Sequence, residues 1–373
     1  MARVARNFEQ GMTNGSPGLL LSTVGFREIG LTAKMMQSDF AALASNPPQE
    51  PHMFARLCLL ATVTLSFSSL RAADGPTRSF IAADSSKRRV AIVGEDGKTQ
   101  WERKIGPLHD LHVLANGNVL LQDSWTHVVE VNPKSDSVVW EYEASKAPGN
   151  SGRRIEIHAF QRLPNGNTMV VESGRTRIIE LNRKNEIVSW IPMKVENPSP
   201  HRDTRLARCL ENGNYLVCHE GDGAVREYSP KGKVVWEYRV PLFGKQRAGG
   251  HGLEAFGNQC FSALRLKNGN TLIGSGNGHS ILEVTPQGKV VWSIHQDDLD
   301  GIRLAWVTSL QVLPNGNILI GNCHAGPENP QLVEVSRDKE VVWKFHDFDR
   351  FGNATTNSQI LTMDGKPVTS SIR

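Results

Sequence analysis

From residue 79 to residue 363 the chain alternates apolar and polar positions in short runs, each broken by a turn signal. Residues 158–190 serve as the template. His158 to Leu163 alternates up to Asn165-Gly166, Thr168 to Glu172 alternates away from it, Arg177 to Leu181 forms a third run, and Arg183-Lys184-Asn185-Glu186 turns the chain into Ile187 to Trp190. A period of two bounded by turn residues predicts four antiparallel strands. Asn-Gly between such runs predicts a type I′ hairpin, with positive φ at both central residues.

The template recurs. Asn-Gly-Asn stands at 116–118, 165–167, 212–214, 268–270 and 315–317. A third-strand signature with a central acid recurs at Glu130, Glu180, Glu227, Glu283 and Glu334, and a fourth-strand signature ends at Trp140, Trp190, Trp236, Trp292 and Trp343. Steps of about 50 residues between tryptophans indicate an array, and four strands per step describe a propeller blade. Ser79 to Ala83, Arg89 to Val93 and Thr99 to Trp101 supply strands two to four of one more blade. Its missing first strand is Ser358 to Met363, ahead of Asp364-Gly365. Pairing strands from opposite ends of the chain leaves no open sheet edge. The expected fold is therefore all-β, a six-bladed β-propeller of four-stranded antiparallel blades over residues 74–373, its ring closed by N-terminal strands plus a C-terminal strand. The tryptophans at 101, 140, 190, 236, 292 and 343 are expected to pack between blades, whereas Trp125 and Trp306 fall in loops. The third-strand glutamates are expected to be solvated or paired with Lys or Arg across the strand.

Residues 1–52 show neither periodicity and read as an unstructured extension or a mis-assigned start. Met53-Phe54-Ala55-Arg56 is a basic lead, Leu57 to Phe67 an apolar core and Ser68 to Asp74 a small-residue exit. That is the layout of a secretory signal peptide over 53–73, too short to span a bilayer permanently. Translation is expected to start at Met53, with export to the periplasm or extracellular space and no membrane span after cleavage.

Composition changes this picture little. Lys and Arg number 42 against 38 acids, a net of +4, which is no footprint for nucleic acid. Of five cysteines, Cys209, Cys218, Cys260 and Cys323 lie in the repeats, scattered too widely for a disulfide scaffold or a zinc spacing. About an Asn212-Gly213 turn, Cys209 would face Leu216, and buried free thiols are expected.

Gly-Lys-Val-Val-Trp after an acidic or prolyl turn resembles the repeat of pyrroloquinoline-quinone (PQQ)-type propellers, the quinoprotein and outer-membrane assembly lipoprotein group. The Leu-Pro-Asn-Gly-Asn strand, with Ala305-Trp306-Val307-Thr308-Ser309 upstream, is similar to arylsulfotransferase-type propellers. The likeness covers residues 79 to 373 and lies in structural positions. It implies the fold, and allows a histidine nucleophile with Arg support or a quinone cofactor. Against the quinone stand the lack of an adjacent Cys-Cys pair and six blades in place of eight.

Blade geometry gathers the unusual residues on one face. Seven positions before each turn come His109, His158, Arg205, Phe261, Thr308 and Asn357, expected to ring the channel mouth. Second-strand ends bring His219, His279 and His324 to the same side. Long loops add His201, His251, Arg303 and Trp306. These define the candidate ligand-binding set: His109, His158, His201, Arg205, His219, His251, His279, Arg303, Trp306, His324 and Asn357. Should the site be catalytic, His158, His251, His324 and Arg205 are the candidates, as nucleophile or base and anion stabiliser. His219 and His324, with His251 or His279, are histidines available to a metal, but no tight ligand spacing assigns one. No cofactor is required by the sequence. The reading favoured is a monomeric exported protein that binds a small-molecule or protein ligand without chemistry. A propeller enzyme is the alternative, and a PQQ-dependent oxidoreductase the third.

Overall fold

A computed structural model describes residues 75–373; the expected extension (1–52) and signal peptide (53–73) lie outside them. Six antiparallel sheets form the six blades. Blade one carries Thr355–Met363 innermost, then Arg78–Asp84, Arg89–Val93 and Thr99–Lys104. Blade two runs Leu111–Val113, Val119–Gln122, His127–Asn132, Ser137–Glu143, and blade three Glu156–Arg162, Thr168–Ser173, Arg177–Leu181, Ile187–Pro192. Blade four is Ala207–Cys209, Tyr215–His219, Ala224–Tyr228, Val234–Arg239; blade five Ser262–Arg265, Thr271–Ser275, Ser280–Val284, Val290–Ile294; blade six Trp306–Val312, Ile318–Cys323, Leu332–Val335, Val341–Phe345. The C-terminal strand pairs with Arg78–Asp84 as expected, and the short strand Lys366–Pro367 adds a fifth member to that sheet.

The core lies between the blades. Each of the six interfaces has its own apolar cluster; the one joining blades five and six packs Leu272 and Ile294 against Val307, Ile320 and Val333. The ring closes through Phe80, Ala82 and Ala91 of blade one against Leu319 and Leu332 of blade six. Sheets buried on both faces by their neighbours need apolar residues on both, which is why second and third strands are buried along most of their length.

The turns differ from the type I′ expectation. Gly117, Gly166, Gly213, Gly269 and Gly316 have φ of +82, +86, +80, +85 and +86°, but none of the preceding asparagines does. Gly166 N donates to Leu163 O at 2.9 Å and Leu163 N to Asn167 O at 2.9 Å. This is a three-residue loop, a type I turn closed by a left-handed glycine. The extra residue moves the register by one, so Cys209 faces Tyr215 rather than Leu216. All four cysteines of the described residues are free thiols.

The second asparagine of the motif explains its repetition. Asn118, Asn167, Asn214, Asn270 and Asn317 donate from Nδ2 to Glu130, Glu180, Glu227, Glu283 and Glu334 at 2.6–2.7 Å. Four of the five glutamates are buried, so the expectation of solvated side chains is corrected. Their charge is met by an arginine of the following blade in Arg162–Glu130 at 2.8 Å, Arg265–Glu227 at 2.6 Å and Arg78–Glu334 at 2.7 Å. The same arginines serve the tryptophans: Arg162 and Arg265 lie over Trp140 and Trp236, 4.8 and 5.1 Å from the ring centroids. Blade four carries Cys209 where blades three and five carry these arginines. No cation covers Trp190 among the described residues, and it is 60% exposed. Trp306 opens a strand rather than sitting in a loop.

Candidate functional site

Three innermost strands break register at the channel mouth. His158 is bulged between Ile157 and Ala159, Thr308 and Ser309 between Val307 and Leu310, and Thr356 where Thr355 meets Asp84. A bulge places one extra residue on the strand and re-aims its side chain. Above these bulges opens a funnel of about 940 Å³, walled by inner-strand starts, second-strand ends and inter-blade loops. Its size suits a small organic ligand.

One wall is a cluster of rings. His109 meets His158 at 4.7 Å, Phe261 at 5.6 Å, Trp125 at 5.2 Å and His201 at 5.9 Å between centroids. His109 is buried and its Nδ1 has no partner. Burial, followed by the charges of Arg205, His158 and His201, holds this imidazole well below its ordinary pKa, so it is neutral. His158 lies just beneath, fully buried, and is pushed down to about 4 by burial and by Arg205. Its Nδ1 is 2.8 Å from Thr204 O and its Nε2 is 3.1 Å from Glu156 Oε2. The same oxygen of Glu156 lies 2.7 Å from His201 Nδ1. These three donor atoms fall within 4.8 Å of one another.

The opposite wall has His251 from the long loop before blade five. Its ring lies 4.8 Å from Trp306 and 5.3 Å from His324. Burial, then His251, lowers the His324 pKa. Cys323, 2.9 Å from His324 Nδ1, is a thiol because burial raises it well above its ordinary value.

Charge is lopsided between these walls. Arg88, Arg202, Arg205 and Arg247 line the funnel against one carboxylate, Glu220. Arg205 and Glu220 form a buried ion pair at 2.5 Å, without hydrogen-bond alignment. Burial lowers the Arg205 pKa and raises that of Glu220, each opposed by the other's charge.

The expected residues thus divide. His109, His201, Arg205, His251, Trp306 and His324 line the funnel, with His158 directly behind. His219 does not: it is buried in blade four, bonded to Asp203 O at 2.7 Å and Tyr228 Oη at 2.9 Å. His279 is likewise tied at both ring nitrogens to Ala305 O and Ala255 O. Arg303 lies outside, paired with Asp297 at 2.8 Å, in a loop that folds back on itself through Leu299–Ile302 and Leu304 N to Gln296 O. Asn357 lies deeper, where a polar cluster fills the channel. It donates to Asp110 at 3.2 Å, Arg208 reaches the same carboxylate at 2.8 Å, and Arg373 donates to Asn357 Oδ1 at 2.7 Å. Burial alone would raise Asp110, but Arg208 and His112 hold it well below the carboxylate range.

Sequence reading missed Glu156, Arg88, Arg202 and Arg247. Glu156 had a signal, since it sits two residues before His158 on one strand. The arginines had none, because a loop without periodicity does not reveal which side chains turn inward.

Residues 86–345 match the family described as outer membrane protein assembly factor BamB. Among curated proteins no sequence matches the chain. Of solved structures, a protein of unknown function from Bacteroides caccae is similar at 23% identity, with a TM-score of 0.62 over 79% of this chain and 100% of that one. A catalytically inactive virginiamycin B lyase from Staphylococcus aureus, solved with quinupristin, is 10% identical over 72% of this chain and 84% of that one, with a TM-score of 0.48. The first likeness is one of fold.

Proposed function

The chain belongs to the outer membrane protein assembly factor BamB family of repeat propellers, and on that scaffold we propose an exported binding protein that takes a small anionic, ring-containing ligand into the funnel. One observation carries the reading: four guanidiniums face a single carboxylate inside a cavity with aromatic and imidazole rings on opposite walls. Planar guanidiniums pair with carboxylate, phosphate or sulfate oxygens, while the rings offer faces and edges to a flat ligand. Export is supported by the basic lead, apolar core and small-residue exit of residues 53–73, and N-terminal sequencing of mature protein tests it.

A second reading has its own observation. His109 lines the funnel as a neutral imidazole, the protonation state a nucleophile or general base requires. A PQQ cofactor would suit the positive charge, yet Cys323 is the single thiol lining the funnel, so no adjacent cysteine pair flanks it.

The probe 4-nitrophenyl sulfate separates the first two. Calorimetry should show saturable, salt-weakened binding that falls in Arg202→Ala and Arg247→Ala. Nitrophenolate release abolished by His109→Ala would move the reading to catalysis. Absence of binding by this probe, 4-nitrophenyl phosphate and benzoate at millimolar concentration would refute an anion site.

A further inference from the structure

We propose that Glu156, His158 and His201 form a binding site for one divalent transition-metal ion of the zinc class, open to the funnel on the His201 side. A neutral imidazole has one N–H. Thr204 O, 2.8 Å from His158 Nδ1, can only accept, so a proton on Nδ1 leaves the Nε2 lone pair facing Glu156 Oε2 at 3.1 Å. A proton on Nε2 instead donates to Glu156 Oε2 and lets Nδ1 accept from Arg205 Nη1 at 3.0 Å, but leaves the Nδ1 lone pair 2.8 Å from Thr204 O. Protonating both nitrogens puts an imidazolium 3.0 Å from the Arg205 guanidinium in a buried position. Each neutral tautomer thus keeps one lone pair against an oxygen. A cation between Nε2, His201 Nδ1 and Glu156 Oε2 takes up the Nε2 lone pair and lets Nδ1–H donate to Thr204 O, leaving Arg205 Nη1 to His201 O and Thr204 O.

The surroundings match what a metal centre needs. Histidine ligands characteristically donate their other ring N–H to a backbone carbonyl, which is the role of Thr204 O toward His158. The ligating carboxylate should itself be anchored, and Arg154 donates to Glu156 Oε1 from Nε at 2.9 Å and Nη2 at 2.6 Å. Zinc bonds of about 2.0–2.2 Å imply tetrahedral edges of about 3.4 Å. The 3.1 and 2.7 Å contacts of Glu156 would open, and the His158–His201 edge, within 4.8 Å, would close, as the exposed His201 side chain rotates onto the ion. Arg205 is charge-compensated by Glu220, so the ion would not face a bare guanidinium. His109, 4.7 Å from His158 between ring centroids and with its buried Nδ1 unpartnered, is the nearest further donor. Two imidazoles and one carboxylate with an open position favour zinc-like ions over calcium or magnesium, which prefer oxygen.

The test uses tag-free full chain stripped with chelator and no organic ligand, so its outcome is independent of anion binding, which is measured separately in chelator. Zinc titration by calorimetry should show one site, and cobalt(II) should develop visible d–d absorption at the same stoichiometry. Glu156→Gln and His201→Ala should each weaken zinc by at least about 100-fold, the upper end of what losing only an outer partner costs. His346→Ala, on the surface and bonded to Pro327 O, should leave it unchanged. Near-UV circular dichroism identifies which variant keeps the wild-type fold, and His201, half-exposed at the rim, is the substitution least tied to the core. Wild-type protein that takes up no zinc, or folded variants that bind it as tightly as wild type, would overturn the assignment.

Discussion

Removing the guanidinium of Arg205 should separate stability from binding at one position. Arg205 and Glu220 are each about 4% exposed and 2.5 Å apart. Breaking a buried pair by deleting one partner typically costs about 3–5 kcal/mol, because the other charge stays buried alone. Glu220 borders the funnel and can reach water, so Arg205→Met is expected near the low end, about 3 kcal/mol. With a urea m-value of roughly 3 kcal/mol/M, the midpoint followed by tryptophan fluorescence falls by about 1 M. The deficit should depend on pH with a definite sign. Burial already raises Glu220, and without Arg205 its folded pKa lies further above the unfolded value. Native protein then binds the proton preferentially, so the loss is complete at pH 8 and shrinks as pH falls through the folded pKa. Arg205→Met/Glu220→Gln should recover most of the stability while anion affinity stays lost, since the pair is gone but so is the cation. A deficit below about 1 kcal/mol at pH 8, or a double variant no more stable than the single, would refute the picture of a buried, mutually dependent pair.

Three further outcomes follow from the repeat chemistry and the buried histidines. Asn214→Ala removes a 2.6 Å hydrogen bond to Glu227 and should cost about 1.5–3 kcal/mol in denaturant unfolding, as for bonds to charged groups. Trp140→Ala, at a 7% exposed ring beneath Arg162, should cost about 3–5 kcal/mol, whereas Trp190→Ala at 60% exposure should cost under about 1 kcal/mol. His112 and His219 are pushed to about 4 by burial; an unfolded chain protonates them near 6.5. Both therefore take up protons on unfolding, so their contribution is full above pH 6.5 and lost as pH falls toward 4. Together they steepen the fall by up to about 2.7 kcal/mol per pH unit. Urea midpoints that stay flat from pH 7 to 5 in wild type would contradict this.

The alternation of residues 158–190, repeated with Asn-Gly-Asn and a terminal tryptophan, determined the blade, the number of blades and the closure by residues 358–363, which the structure extends back to Thr355. Strand periodicity and turn chemistry are local, and each sheet must bury both faces against a copy of itself. The same local reading misjudged the turn by one residue, since Asn-Gly serves both a two-residue I′ loop and a type I turn ending in a left-handed glycine. Which glutamates are buried, and that each is met by an asparagine of its own blade and an arginine of the next, depended on how sheets face one another. The funnel divides the same way. Positions seven residues before each turn marked His109, His158 and Arg205 as neighbours because blades repeat with a fixed register. That His219 and His279 turn into the blades while Arg202 and Arg247 turn toward the axis was decided by loop paths and bulges. Those answer to packing between residues far apart in the chain, where no period exists to be read.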